Sequence, residues 1–253
     1  MKRETIWESL IIAFSTYSRI PMPRVDWNDE NMKYTICFFP LIGLVTGGLS
    51  WIWMLVSLSC GFGATLRAAV LTLLPLLVTG GIHLDGLLDT ADALSSWKSR
   101  EERLEIMKDS HSGAFAVIWC CAYFLAFFGI MSEMKTTDMP QLMLVYAISR
   151  AMSGIALMRF PKAKNTGLLR TFSDKAMNEK GSRILIAVLA AAGVLLIVIR
   201  PSQGLIALMA GWLVFYLYYL LTKKTFGGIT GDLAGCFLCL AELAMAAALA
   251  LIR

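Results

Sequence analysis

Gly80-Gly81-Ile82-His83-Leu84-Asp85-Gly86-Leu87-Leu88-Asp89-Thr90-Ala91-Asp92-Ala93 follows directly on a long apolar run. The stretch carries three carboxylates, Asp85, Asp89 and Asp92, at positions i, i+4 and i+7. On an α-helix that spacing sets all three on one face. Nothing in the local sequence neutralises them, so they repel one another. Such a face suits a cation. Oxygen-only donors favour hard ions such as Mg²⁺, which takes a few carboxylates and keeps positions open for substrate phosphates. The plain alternative is a solvated acidic face beyond a membrane span. Two features favour a site. His83 and Asp85 emerge straight from an apolar span, where ionisable groups are costly. The paired glycines also admit close backbone approach.

The chain around this stretch is 57% hydrophobic and 16% charged over 253 residues, with a mean hydropathy of +0.66. A soluble domain carries about a quarter charged residues, so this composition points to an all-α polytopic membrane protein. We expect a single integral membrane domain over 1–253. The net charge of +5 fits basic cytoplasmic loops and not a nucleic-acid binder. Cys37, Cys60, Cys120, Cys121, Cys236 and Cys239 lie mostly inside apolar runs. Cys236-x-x-Cys239 has no second pair beside it, and all six read as structural.

The N-terminal segment does not read as a cleaved signal peptide, because Glu8 interrupts its apolar part and no small-residue cleavage site follows. Ile6, Trp7, Leu10, Ile11, Phe14 and Tyr17 form a helical stripe, which predicts an interfacial or re-entrant helix ended by Pro21 and Pro23. Asp26 to Lys33 reads as a polar loop. About seven transmembrane helices follow, near 35–58, 65–82, 113–131, 141–158, 184–199, 205–221 and 233–252. Gly43, Gly47 and Gly48 in the first of them permit close helix packing or a kink. With the N-terminus cytoplasmic, segments 1–34, 83–112, 159–183 and 222–232 lie inside and are basic. The outside segments hold only Lys135, Arg200 and Arg253. The positive-inside rule therefore puts every motif-bearing segment on the cytoplasmic face. A transporter would show a midplane site and repeated halves instead, and no internal repeat is visible.

Further chemistry sits in the same inside segments. A charged, helix-like run from Glu101 to Glu105 leads into Lys108-Asp109-Ser110-His111-Ser112-Gly113. Lys108 can meet a phosphate, and Asp109 can ligate metal or orient a hydroxyl. A helix cap with snorkelling charge is the equal alternative. Arg150 lies within a span and needs a partner there, either a phosphate or a carboxylate. The basic loop from Pro161 to Gly181, with Lys162, Lys164, Asn165, Gly167, Arg170 and Asp174, either covers substrate or rests on anionic membrane lipid. Gly227-Gly228-Ile229-Thr230-Gly231-Asp232 can present amides to a phosphate, or Thr230 and Asp232 can simply cap the last span. Glu242 lies inside that span, with Arg150 as a candidate partner. No Ser-His-Asp order and no Cys beside a base is present. The combination of carboxylates, cations and a glycine-rich turn points to metal-assisted phosphoryl transfer to an alcohol.

These residues resemble the cobalamin synthase family, the adenosylcobinamide-GDP ribazoletransferases. The resemblance runs from Phe14-Ser15-Thr16-Tyr17-Ser18-Arg19-Ile20-Pro21-Met22-Pro23 through Phe39-Pro40-Leu41-Ile42-Gly43 to the acidic stretch. It continues with Ile106-Met107-Lys108-Asp109-Ser110 and Gly227-Gly228-Ile229-Thr230-Gly231-Asp232, followed by Glu242. It implies transfer of adenosylcobinamide phosphate from adenosylcobinamide-GDP to α-ribazole or its 5′-phosphate, with GMP released. It also implies Mg²⁺ dependence and a bacterial inner-membrane location, and it leaves a homo-oligomer open. By resemblance, Asp85, Asp89 and Asp92 are the metal ligands, with Asp109 catalytic beside them. Arg19, His83, Lys108, Arg150, Gly228, Thr230, Asp232 and Glu242 are expected to bind substrate and its phosphates. Leu84, Ala93 and His111 stand where many members carry Glu, Gly and Arg. A phosphatidyltransferase using a CDP-activated lipid is the nearest alternative reading, and a cation transporter using Asp85, Asp232 and Glu242 a more distant one.

Overall fold

The computed structural model describes residues 3–32, 34–109, 111–163 and 179–252. Its helices are α1 (Arg3–Tyr17), α2 (Asp29–Met32), α3 (Phe39–Ser59), α4 (Ala64–Thr79), α5 (Ile82–Ser95) and α6 (Arg100–Ile106). They continue with α7 (Ala114–Glu133), α8 (Met139–Arg159), α9 (Glu179–Ile199), α10 (Pro201–Leu221) and α11 (Gly231–Leu251). Among the described residues the extended structure is one isolated parallel bridge between Lys162 and Ile229. The helices α3, α7, α8, α9, α10 and α11 are long and apolar enough to cross a membrane. α4 and α5, joined by a 94° bend, meet the same criterion only as a pair and bring the candidate crossings to as many as seven. The all-α polytopic class is present, with six to seven candidate spans against the seven expected.

α8 and α11 form the centre, with 89% and 78% of their apolar windows buried. The corresponding windows of α7 and α10 are 22% buried, so most of their surface is left to lipid. Glycines allow the central contacts. A Cβ on Gly43 would collide with the Tyr146 carbonyl, and one on Gly47 with the Met143 backbone. The first span is thus continuous and uses its glycines for close packing on α8, not for a kink. At the end of the bundle away from α5, Arg200 Nη1 pairs with Asp138 Oδ1 at 2.6 Å and Gln203 Nε2 donates to the Ile252 carbonyl at 2.6 Å. These contacts tie the start of α10 to the start of α8 and the end of α11.

One local expectation holds in part and another needs correction. The buried face of α1 is Thr5, Ser9, Ile11, Ile12, Ala13 and Phe14, so Ile11 and Phe14 of the expected stripe are buried, whereas Trp7 is 61% exposed. The Ser9 hydroxyl donates to the Asn31 carbonyl at 2.5 Å and ties α1 to the next segment. The segment read as a loop holds the single turn α2, begun by Asn28 Oδ1 accepting from the Glu30 and Asn31 amides at 3.1 and 2.9 Å. By contrast the charged run before Lys108 is helical, as α6. Its capping box is made by Ser99 and Glu102, and the two hydrogen bonds hold the Glu102 carboxyl below its usual range. The basic-loop residues Lys164, Asn165, Gly167, Arg170 and Asp174 lie outside the described residues, as does Ser110.

Candidate functional site

α4 ends at Gly80 and Gly81, whose φ values of 67° and 85° are in the left-handed region. Residues with a Cβ resist that conformation, which is why two glycines stand there. The chain turns by 94° between α4 and α5. α5 is thereby packed against the N-terminal parts of α7 and α11. Its glycine Gly86 makes the contact with α11, because a Cβ there would sit 2.5 Å from the Asp232 carbonyl. Gly235 performs the same service one turn into α11, against the His83 backbone. Arg19 packs on the turn from the other side. Its amide donates to the Val78 carbonyl at 2.8 Å, and a Cβ on Gly80 would collide with its side chain. The structure thus brings Arg19, His83, Asp85 and Asp232 together at the start of α5.

Asp85 is exposed, and Asp89 and Asp92 are half-buried along the same helix. Burial, then the nearby charges of Asp85, Asp232 and Asp92, push the Asp89 carboxyl up to about 7. The cluster is therefore larger than the linear spacing indicates, since Asp232 enters it from α11. Asp92 has a different occupation. Its carboxylate accepts from the Gly113 amide at 2.5 Å and the Ala116 amide at 2.9 Å, and so caps α7 from a neighbouring helix. Those amides answer its charge, whereas Asp85 and Asp89 carry no such capping bonds among the described hydrogen bonds.

Among the described residues no three His, Cys, Asp or Glu side chains converge as a ready metal cage. Repelling carboxylates do not gather unaided, and Mg²⁺ is commonly held by one or two carboxylates plus substrate phosphates. Asp85 and Asp89 fit that donor chemistry. The raised Asp89 carboxyl marks negative charge that a cation would relieve.

Arg150 and Glu242 occupy a different place from the one expected of phosphate-binding groups. Arg150 is 0% exposed and Glu242 5%. Their side chains meet at 2.6 Å, with Ser149 Oγ donating to the same carboxylate oxygen at 2.8 Å and Arg150 Nη1 also donating to the Tyr146 carbonyl at 2.9 Å. The anticipated pairing of Glu242 with Arg150 is present. The anticipated reach of Arg150 to a substrate phosphate is not, because its charge is enclosed between α8 and α11. This pair lies directly beneath α5, sharing a water-sized cavity of about 30 Å³ with His83.

The remaining candidates lie in loops. Lys108 pairs with Glu105 at 3.1 Å on the surface. His111 donates its backbone amide to Asp109 at 3.0 Å, and its ring lies 2.8 Å from the same oxygen. These contacts hold the Asp109 carboxyl below its usual range. The chain carrying them returns to α5 at the Gly113–Asp92 hydrogen bond. The glycine-rich turn is closed on itself: the Gly228 amide donates to the Thr222 carbonyl at 2.9 Å and the Ile229 amide to the Pro161 carbonyl at 2.7 Å. Those two amides are engaged within the protein and are not turned out as an anion nest. Thr230 Oγ1 accepts from the Leu233 amide at 3.1 Å and caps α11, the structural alternative the sequence had offered.

Two features escaped the linear reading. Arg100 lies over Gly227, where a Cβ would collide with its guanidinium. Tyr17, Phe39, Ser153, Leu157 and Leu238 line a cavity of about 190 Å³ beside Asp85 and Asp232. Nothing in the spacing flags Ser153 or Leu238, which face that cavity only through helix packing.

The comparisons with known proteins agree with one another. A family model described as cobalamin-5-phosphate synthase matches residues 9–250. A protein named adenosylcobinamide-GDP ribazoletransferase from Lachnoclostridium phytofermentans is 42% identical over 235 residues, covering 93% of this chain and 90% of the relative. Proteins of the same name are 34% identical over 243 residues in Desulfitobacterium hafniense and 31% identical over 238 residues in Clostridium perfringens. Those two alignments cover 92% and 93% of this chain, and 93% and 94% of the relatives. No solved structure matches the chain. A carboxylate-bearing helix bent across the end of a membrane bundle thus coincides with an end-to-end family match, and the chain belongs to the cobalamin-5-phosphate synthase family.

Proposed function

We propose that this protein transfers the adenosylcobinamide phosphate moiety of adenosylcobinamide-GDP to α-ribazole or its 5′-phosphate. The products are adenosylcobalamin, or its 5′-phosphate, and GMP. The observation that carries the reading is α5 itself. It presents Asp85 and Asp89 beside Asp232 at the end of the bundle, next to a cavity. The relatives' names supply the substrates.

In this reading Asp85 and Asp89 hold Mg²⁺. The ion, when bound, supplies charge neutralisation on the pyrophosphate and on the transferring phosphoryl group. Arg19, set on the Gly80 turn, faces the phosphates from the other side of α5. Asp232 orients the 3′-hydroxyl of ribazole and takes its proton as the oxygen attacks phosphorus in line. A phosphorus–oxygen bond forms to ribazole, the bond to the GMP oxygen breaks, and the proton passes to the carboxylate. The buried Arg150–Glu242 pair supports α5 from below and does not touch substrate.

The basic inside segments orient the N-terminus and this face toward the cytoplasm of a bacterial inner membrane. An amphiphilic corrinoid would reach the site from the lipid–water boundary. Replacement of Asp89 by Asn tests the reading. With thermal stability intact, turnover should fall by at least about 100-fold, as for loss of a positioned electrostatic group. Near-normal turnover in that variant would remove α5 from the reaction.

A further inference from the structure

Metal and phosphate chemistry leave one part of the molecule unexplained. The cavity of about 190 Å³ between α1, α3, α5, α8 and α11 has a carboxylate side, with Asp85 and Asp232. The rest of its lining is mainly apolar, including Tyr17, Phe39, Leu157 and Leu238, with Thr16, His83 and Ser153 as its other polar side chains. Tyr17 and Phe39 rings stand 4.6 Å apart, and Phe39 and His83 rings 5.6 Å apart, so one wall is aromatic. Ser153 is 1% exposed, and its hydroxyl has no hydrogen-bond partner. A buried hydroxyl left unpaired costs about 1–3 kcal/mol, and such a group in a ligand cavity is a recognition element awaiting its partner.

The chemistry of the lining selects the occupant. Carboxylates and apolar walls without a lining cation reject a phosphate. The size rejects a corrin macrocycle, since a cavity of roughly 150 Å³ is filled by benzene. A flat aromatic system of one or two rings fits, provided it offers a hydrogen-bond acceptor to Ser153. The reaction proposed above carries three such pieces, guanine, adenine and the base of the acceptor nucleoside. The two purines bear amino or carbonyl groups that this largely apolar lining would leave unpaired, so the acceptor base fits best.

We propose that this cavity is the acceptor-base subsite. The bicyclic base lies along the Tyr17–Phe39 wall, the Ser153 hydroxyl donates to its free ring nitrogen, and the ribose emerges between Asp85 and Asp232 toward the phosphates. This rests on the proposed function and adds to it the residues that choose the base. Ser153 and Leu157 are specificity-determining, and neither touches the transferred phosphorus.

The test is a matched pair of substitutions, one in the protein and one in the substrate. Ser153→Ala should raise the KM for α-ribazole about fivefold, the worth of one neutral hydrogen bond. The KM for adenosylcobinamide-GDP and kcat should stay constant. Wild-type protein given an indole nucleoside, which lacks the ring nitrogen, should show the same fivefold loss. Ser153→Ala with the indole nucleoside should lose nothing more. Multiplicative losses, an unchanged ribazole KM, or a shift confined to the corrinoid substrate would each overturn the subsite. Leu157→Trp, which fills the cavity, should abolish ribazole use while equilibrium binding of adenosylcobinamide-GDP persists. If that variant does not fold, the Ser153 comparison decides alone. Should wild-type protein release no GMP at all, the reaction reading fails. Calorimetric binding of free benzimidazole, weakened by Ser153→Ala or not, then judges the cavity by itself.

Discussion

Replacing Glu242 by Gln is the sharpest perturbation of the frame beneath the site. The substitution keeps an acceptor oxygen for Ser149 and changes little volume, yet it strips Arg150 of its counter-charge. Arg150 Nη1 and Glu242 Oε1 are 2.6 Å apart, and their side chains are 1% and 6% exposed. At an effective dielectric of about 20, the Coulomb attraction at that distance is about 6 kcal/mol. The guanidinium is enclosed by protein, and its Nε already lacks a partner. Removing one member of such a pair costs about 3–5 kcal/mol. Polar groups of the unfolded state in a membrane also find partners, which moves the expectation to about 3 kcal/mol. Denaturation in mixed micelles should show that loss for Glu242→Gln and for Arg150→Met. The double variant Arg150→Met with Glu242→Met should lose clearly less than the sum, because no stranded charge is left. A Glu242→Gln loss below about 1 kcal/mol, or strict additivity in the double variant, would refute the claim that this pair is a structural lock.

Asp92 separates capping from metal binding: Asp92→Asn keeps an acceptor for one of the Gly113 and Ala116 amides, whereas Asp92→Ala loses both, at about 1 kcal/mol. Thermal stability should rank wild type, then Asn, then Ala, with turnover following stability. An equal collapse of turnover in both variants at unchanged stability would instead make Asp92 a metal donor. The Asp89 carboxyl gives a pH signature in metal-free detergent solution. Folded, it keeps its proton up to about 7, whereas unfolded it releases it near 3.9. The folded state binds more protons in that window, so stability should fall as pH rises from about 4 to about 7 and then level off. Asp89→Asn should flatten the slope, and an unchanged slope in that variant would show that another group titrates.

The spans were legible because hydropathy over some twenty residues outweighs every local preference in a bilayer. The helical face of Asp85, Asp89 and Asp92 was legible for the same kind of reason, a fixed period on a regular helix. What spacing did not carry was the direction of α5. The double glycine announced close backbone approach, but only the packing of Gly86 on Asp232 and Gly235 on His83 shows where the helix after it is laid. The capping role of Asp92 was not legible because its amide partners start a different helix, 21 and 24 residues further on. Arg150 was half understood. The need for a partner followed from its depth, but the choice of Glu242 over a phosphate was decided by the crossing of α8 and α11. Apolar periodicity was partly right at α1, where Ile11 and Phe14 are buried but Trp7 is exposed and the polar Thr5 and Ser9 share the buried face.

The central claim is that the carboxylate face of α5 performs metal-assisted phosphoryl transfer on a GDP-activated corrinoid. The most direct measurement uses purified protein in detergent, supplied with adenosylcobinamide-GDP and α-ribazole, with and without Mg²⁺. GMP and the corrinoid product are followed together. The account predicts equimolar release of both, abolished by chelator and restored by Mg²⁺. Folded protein that forms neither product with Mg²⁺ present, or that forms both undiminished in chelator, would contradict it.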